Sequence, residues 1–346
     1  MFRKSLAMAL SAFLALDWLM LTLLPRLGLS YGPVGPPLVA LTVVRWLMMA
    51  LLLPFFWYWR RAPSSNAARI TLAVMWGLNV LLSACAFEAL YIEPFRLTVT
   101  EVPVEGPAFF PDRPLRIVQL SDLHVERTTR RERETLARIA ALNPDLIVLT
   151  GDYLNTSYFN DPVTRADARS FLAQLAAPYG VYAVTDSRLD PPDAMRAIFG
   201  GLPITVLYNE TICLPFADTP VCLIGIQSRR GTLEHDRTVL ETLVRRVPAG
   251  AYKLLLYHTP DLAEAAAVND IDLYLAGHTH GGQIRLPFYG AVITFSAYGK
   301  KYEMGRYTLG ETTLYVSRGL GMEGSIAPRA RFLCPPEIVV LDISGE

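Results

Sequence analysis

Two aspartates and four histidines stand out as residues whose types and spacing could do chemistry. Asp122 and His124 form a D-x-H in SDLHVE, Asp152 closes the G-D of TGDYLN, His258 lies in LLLYHTPD, and His278 and His280 lie in AGHTHGGQ. The chain has only five histidines, and four of them fall in these segments. The fifth, His235 in LEHDR, reads as a surface residue at a helix start. A cluster of carboxylates and imidazoles suits Zn²⁺, Mn²⁺ or Fe²⁺ and does not suit Ca²⁺. Two such ions sharing one carboxylate can activate a water and clamp an in-line displacement at phosphorus. Each segment alone is a weak signal, because D-x-H and G-D occur often by chance. G-H-T-H-G-G is stronger, since Gly281 and Gly282 let the backbone come close to a ligand.

These side chains need a scaffold that brings them together. Each segment follows a short run rich in β-branched or aliphatic residues: Arg116–Leu120, Leu146–Thr150, Lys253–Tyr257 and Leu273–Leu275. Further strands are predicted at Arg96–Val104, Val181–Val184, Val221–Ile226, Val292–Phe295, Thr313–Val316 and Ile338–Leu341. Helices are predicted at Arg131–Leu142, Val163–Ala176, Leu233–Arg246 and Asp261–Val268. Strands alternating with helices argue for an α/β fold with largely parallel central strands. In such sheets ligands sit beyond the carboxyl ends of the strands, where the six residues fall.

The order D-x-H, G-D, H, G-H-T-H resembles the calcineurin-like metallophosphoesterases. Tyr315–Gly321 (YVSRGLG) and Phe332–Ile338 (FLCPPEI) are similar to a narrower, membrane-associated bacterial branch of that family. The resemblance runs from about Pro114 to the end of the chain. It implies a four-layer α/β/β/α sandwich and two divalent metal ions. One would be held by Asp122, His124, Asp152 and His280, the other by Asp152, His258 and His278. It also implies hydrolysis of phosphodiesters or pyrophosphates, including lipid-linked ones. The family's third motif, G-N-H before an acidic residue, is altered. In direct register Asp186, Ser187 and Arg188 stand where Gly, Asn and His are usual. Ser187 is a poor replacement for an amide ligand. Arg188 stays protonated and cannot shuttle a proton, but it can stabilise charge on a phosphoryl oxygen. Asp186 could supply the missing ligand if the turn shifts. The other outcome is a degenerate loop with a weak second metal, which would leave a non-catalytic, metal-binding membrane protein.

The first hundred residues have a different character. Apolar runs at 5–24, 38–58 and 70–92 each approach the ~20 residues of a membrane-crossing helix. The predicted organisation is a three-helix anchor at 1–94, a strand and linker at 95–113, and a metallophosphoesterase domain at 114–346. The aromatic run Phe55–Trp59 reads as an interfacial belt. Arg3 and Lys4 precede the first run and Arg60, Arg61 and Arg69 lie between the second and third, against Arg26 alone in the first loop. This bias puts the large domain on the extracytoplasmic face of a multi-pass cell-membrane protein. Asp17 and Arg45 lie inside the first two runs at matching depth, about 10 Å from the same face at ~1.5 Å per residue. They are predicted to form an ion pair.

Thirty-two basic and 32 acidic residues cancel, so no basic footprint for nucleic acid is expected. The expected partners are a phosphate ester and membrane lipid. Arg127–Arg133 reads first as a solvated helix start and second as a patch for phosphate or anionic headgroups. Four cysteines without a C-x-x-C pair exclude a zinc ribbon. Cys85 and Cys334 read as packing residues. Cys213 and Cys222 flank a turn region in TICLPFADTPVCLI and would form a disulfide if the flanking runs pair in register.

Overall fold

The computed structural model describes residues 2–60, 65–186, 190–216, 219–228, 233–323 and 329–345. Ser187 and Arg188 lie outside the described residues.

Among the described residues fourteen strands follow the N-terminal helices. They are β1 (Thr98–Glu105), β2 (Leu115–Leu120), β3 (Leu146–Leu149), β4 (Val181–Ala183), β5 (Ile204–Val206), β6 (Glu210–Leu214), β7 (Val221–Gly225), β8 (Tyr252–Leu256), β9 (Leu273–Ala276), β10 (Arg285–Leu286), β11 (Gly290–Ala291), β12 (Gly305–Leu309), β13 (Thr312–Val316) and β14 (Glu337–Ser344). One six-stranded sheet has the order β1-β14-β2-β3-β4-β5, the other β12-β13-β9-β8-β7-β6, and β10 and β11 form a small hairpin. Pairing is parallel from β2 to β5 and from β7 through β8 and β9 to β13. These inner strands are nearly continuous apolar runs. Leu115, Ile117, Val118 and Leu120 of β2 are fully buried, as a strand covered on both faces requires.

One core cluster joins side chains of both sheets, including Ile117, Val148 and Val184 with Leu223, Leu254 and Leu275. The opposite face of the first sheet buries Val118, Ile147 and Ala183 under helices α4 (Arg130–Leu142), α5 (Pro162–Leu172) and α6 (Pro192–Phe199). The opposite face of the second buries Ile224, Leu255 and Tyr274 under α7 (Leu233–Val244) and α8 (Ala263–Val268). Helix α4 starts where its sequence dictates: Thr129 and Glu132 form a reciprocal capping box, and Asn143 closes the helix in the left-handed region. The element pattern read from the sequence is found with several additions and one correction. Helix α6, begun by Pro192 at its first position, and the strands β5, β10, β11 and β12 were not expected. Val292–Phe295 is not a strand; Val292, Ile293 and Phe295 project outward, each at least half exposed.

Three helices precede this domain, α1 (Phe2–Arg26), α2 (Gly35–Arg60) and α3 (Ser65–Phe87). Among the described residues two segments are long and apolar enough to cross a membrane, Gly35–Phe55 and Arg69–Phe95. They correspond to the second and third predicted spans. The first is a helix, but the side chains of residues 2–9 lie outside the description. The helices are apolar outside and polar where they meet. Trp46, Leu51, Ile70 and Val80 face outward, while Asp17 and Arg45 are fully buried. The Arg45 guanidinium donates to both carboxylate oxygens of Asp17 at 2.7 Å. It also donates to the Asn79 carbonyl and side-chain oxygens at 3.1 and 3.0 Å and to Ser83 Oγ at 2.8 Å. The predicted ion pair is present and ties α3 to the first two helices.

The α1–α2 loop and the end of α3 dock on the same domain. Tyr31 N donates to Glu126 Oε2 at 2.7 Å, Glu126 pairs with Arg329, and Tyr158 donates to the Tyr31 carbonyl. Leu21, Leu24, Ala89 and Leu90 pack with Ala330, Ile284 and Phe332 of the domain. Cys213 and Cys222 face each other across β6 and β7 and are disulfide-bonded.

Candidate metal centre

The ends of four parallel strands deliver the six residues. Asp122 and His124 follow β2, Asp152 follows β3, His258 follows β8, and His278 and His280 follow β9. The turns that present them are tight. Asp122, His124, Asp152, His278 and His280 all have left-handed backbones, with φ of 49°, 40°, 56°, 69° and 50°. Non-glycine residues rarely adopt this region, and such strain concentrates at functional sites. Close packing holds the turns in place. A Cβ on Gly277 would come within 1.9 Å of Ser121 Oγ and 2.3 Å of Asp122 Oδ2.

The side chains converge into two overlapping groups. Asp122, His124, Asp152 and His280 form one, and Asp152, His258 and His278 the other; within each, one ligand atom per residue lies within 4.8 Å of the rest. Asp152 belongs to both. His124 Nε2 and His280 Nε2 are 3.0 Å apart. His280 Nε2 is 3.4 Å from Asp122 Oδ1, and His124 Nε2 is 3.5 Å from Asp152 Oδ2. On the other side His258 Nε2 approaches Asp152 Oδ2 at 3.3 Å and Asp186 Oδ2 at 3.9 Å. All of these except His278 are buried.

The arrangement fits a cation. His258 Nδ1 lies 2.7 Å from the Thr150 carbonyl, which accepts its proton. That assignment turns Nε2 toward carboxylate oxygens, where a proton or a metal ion can sit between them. His258 Nε2 and Asp152 Oδ1 are buried without a hydrogen-bond partner. The charge distribution gives the same answer. Burial works against charge on His258, yet Asp152, Asp122 and Asp186 outweigh it and hold its pKa well above the ordinary histidine value. Burial likewise opposes ionisation of Asp152, and His258, His124 and His278 overcome it and keep its carboxyl below the usual range. Burial, helped by His124 and Arg331, pushes His280 well below the ordinary value and keeps its imidazole neutral. The cluster can therefore bind divalent metal through carboxylate and imidazole donors.

Of the altered third motif, Asp186 and the neighbouring Asp190 are among the described residues. Asp186 is buried beside His258, and its backbone N–H donates to Asp190 Oδ2 at 2.9 Å. Asp190 also accepts from the N–H groups of Asp152 and Tyr153, both at 3.3 Å, so one buried carboxylate pins both loops. In the direct register Leu189 takes the motif's acidic position, so no role for Asp190 was read from the sequence. Glu323 was also missed: its Oε2 lies 3.6 Å from His124 Nδ1 and it belongs to no recognisable pattern. Arg331 was also missed. It is fully buried and donates to the carbonyls of Arg318, Gly319, Gly321 and Cys334, fixing the loop that passes behind Asp122. The basic run does not form a free patch. Arg127 pairs with Asp161 and the buried Arg131 with Glu132, while Arg130 and Arg133 remain exposed. His235 is exposed and Cys334 is buried, as read from the sequence.

The sequence profile described as calcineurin-like phosphoesterase matches residues 115–282. A Bacillus subtilis protein named uncharacterized metallophosphoesterase YkuE is 33% identical over 276 residues, covering 74% of this chain and 89% of its own. The chain belongs to the calcineurin-like phosphoesterase family. The Escherichia coli phosphodiesterase YaeI is 29% identical over 68% of this chain and 85% of its own length. The Chlamydia trachomatis protein named UDP-2,3-diacylglucosamine pyrophosphatase LpxG is 26% identical over 72% of this chain and 90% of its own length. With this family and its clustered metal-binding residues, the chain is a metal-dependent phosphoester hydrolase.

Proposed function

We propose that the chain hydrolyses phosphodiesters or pyrophosphates, lipid-linked ones included, at the outer surface of a cell membrane. The observation that carries this reading is the sharing of Asp152 between two ligand groups at the ends of parallel strands. We assign Asp122, His124, Asp152 and His280 to one divalent ion and Asp152, His258 and His278 to the other, with Mn, Fe or Zn as the suitable metals. Asp186, close to His258, takes the place of the missing asparagine as a further ligand of the second ion, in preference to Ser187. When bound, such ions supply a deprotonated water and neutralise charge developing on the phosphoryl oxygens.

The protein's own residues do the rest. Thr150 fixes the His258 ring and leaves its Nε2 free to ligate. Glu323 faces the far nitrogen of His124 and orients that ring, as carboxylates do behind metal-bound histidines. Arg188, two positions after Asp186 in the sequence, is assigned to charge stabilisation on the phosphoryl group. No histidine acid stands in the third motif, so esters with good leaving groups are the favoured substrates. The names of YaeI and LpxG, a phosphodiesterase and a lipid pyrophosphatase, agree with this substrate class.

The scaffold is read as an α/β/β/α sandwich at 114–346, joined through 95–113 to a membrane anchor at 1–94. Three crossings account for the docking: the α1–α2 loop and the end of α3 must then lie on one face of the membrane, and both touch the domain. The basic flanks Arg3, Lys4, Arg60, Arg61 and Arg69 mark the other face as cytoplasmic. The Cys213–Cys222 disulfide agrees with an oxidising compartment.

The test is hydrolysis of bis(p-nitrophenyl) phosphate by detergent-solubilised protein with Mn²⁺, Zn²⁺ or Fe²⁺ added in turn. Metal-dependent turnover is expected. No turnover with any of the three, from protein that binds metal, would leave a binding protein on this fold instead.

A further inference from the structure

Six large apolar side chains project from one ten-residue segment beside the metal centre. Leu286 is 50% exposed, Phe288 wholly so, Tyr289 58%, Val292 50%, Ile293 56% and Phe295 62%. Apolar clusters of this density on a soluble surface mark an interaction site. The segment is the β10–β11 hairpin and the residues that follow it, the run that reads as a strand in the sequence and pairs with none.

Its position says what it meets. Ile284, immediately before β10, packs with Leu21 and Leu24 at the end of α1 and with Ala89 and Leu90 beyond α3. The hairpin is thus continuous with the place where the helices of the anchor leave the bilayer. Lys300 Nζ sits 3.6 Å from the centre of the Tyr289 ring and donates to the Ala291 carbonyl at 3.0 Å. An aromatic ring with a lysine at the base of an apolar tip is the composition of an interfacial element. The other end reaches the metal centre, where the Phe295 carbonyl lies 3.4 Å from His278 Nε2.

We propose that residues 286–295 form a second membrane contact, with Phe288 and its apolar neighbours inserted among the acyl chains of the leaflet from which the anchor emerges. The proposal rests on the membrane-anchored reading given above and adds a consequence to it. Phe295 and Ile293 line the path between the lipid and His278. A lipid-linked phosphate ester therefore slides its headgroup to the metals while its chains stay beside the hairpin. A soluble ester does not need this route.

The backbone makes a clean test available. Phe288 has a left-handed φ of 63°, which asparagine and aspartate tolerate better than phenylalanine. Phe288→Asp combined with Val292→Asp removes the insertion without straining the fold. The full-length protein is reconstituted in phosphatidylcholine–phosphatidylglycerol vesicles. Turnover is compared on bis(p-nitrophenyl) phosphate and on a diacyl phospholipid diester carrying a nitrophenyl leaving group. The double variant is expected to keep the soluble activity and lose at least about tenfold on the vesicle substrate, since two charged side chains resist burial in hydrocarbon. Equal losses on both substrates, or none on either, would overturn the proposal. A second measurement does not depend on activity. Phe288→Cys carrying an environment-sensitive fluorophore should be quenched by lipids with a nitroxide on the acyl chain. If the label is instead quenched only by aqueous reagents, or is shielded by a second copy of the chain in cross-linking, the hairpin does not enter the bilayer. If wild-type protein hydrolyses neither ester but the label is quenched by the lipid nitroxide, the hydrolase reading fails and the membrane contact stands.

Discussion

Replacing Gly277 by alanine probes how tightly the fold fixes Asp122. The new Cβ would sit 1.9 Å from Ser121 Oγ and 2.3 Å from Asp122 Oδ2. Ordinary carbon contacts lie at about 3.5 Å, so more than an ångström of movement is needed at both atoms. Neither neighbour has room to yield. Ser121 and Asp122 are buried and hydrogen-bonded to each other at 2.5 Å, and the His278 N–H donates to the Asp122 carboxylate at 3.0 Å. A Cβ on Gly319 would also crowd Asp122, at 2.5 Å from its Cβ. Asp122 must therefore move relative to its partner ligands. A misplacement of about 1 Å at a reacting centre costs roughly 10²-fold in rate. The assay is Mn²⁺-dependent hydrolysis of bis(p-nitrophenyl) phosphate over a metal titration, with circular dichroism confirming the fold. Gly277→Ala is expected to lose about 10²-fold and to need more Mn²⁺. Adding Ser121→Ala should restore little, because the contact with Asp122 remains. Turnover of the single variant within a few-fold of wild type, or full rescue by Ser121→Ala, would refute the reasoning.

Other perturbations have equally definite outcomes. Asp17→Arg or Arg45→Asp alone leaves buried charge uncompensated inside the helical bundle, at a cost of about 3–5 kcal/mol, and should sharply lower the folded yield on size-exclusion chromatography. The double swap should recover most of it, short by the hydrogen bonds that Asn79 and Ser83 give up; a double variant as poor as the two singles combined would show that the pair contributes nothing. Asp186→Ala should weaken the second metal in a Mn²⁺ titration while Asp186→Asn retains much of it, and indifference to both would remove Asp186 from the ligand set. Cys213 and Cys222 should resist alkylation in protein isolated without reductant, and labelling of both in folded protein would contradict the extracytoplasmic placement.

Much of the site was legible because its signals are local. Each candidate ligand follows an apolar strand, and its neighbours in sequence, such as Gly281 and Gly282, declare a tight turn. The Asp17–Arg45 pair was legible for a related reason: two charges in apolar helices have few partners to choose from. What escaped has long-range causes. Glu323 meets His124 across almost two hundred positions, and Arg331 meets carbonyls whose place depends on the whole loop around Gly319. The run Val292–Phe295 misled for a physical reason. Apolar β-branched residues signal a nonpolar environment, which inside a soluble domain means a strand, whereas these face outward.

The central claim is a two-metal centre bridged by Asp152, and metal content measured alongside turnover tests it most directly. Wild-type protein loaded with Mn²⁺ and freed of excess should carry two ions per chain and hydrolyse bis(p-nitrophenyl) phosphate. Asp152→Ala should lose both the activity and the second ion, where His278→Ala should abolish activity while sparing the site built on Asp122, His124 and His280. A single ion in the wild type, or an Asp152→Ala protein that keeps most of its turnover, would contradict the account.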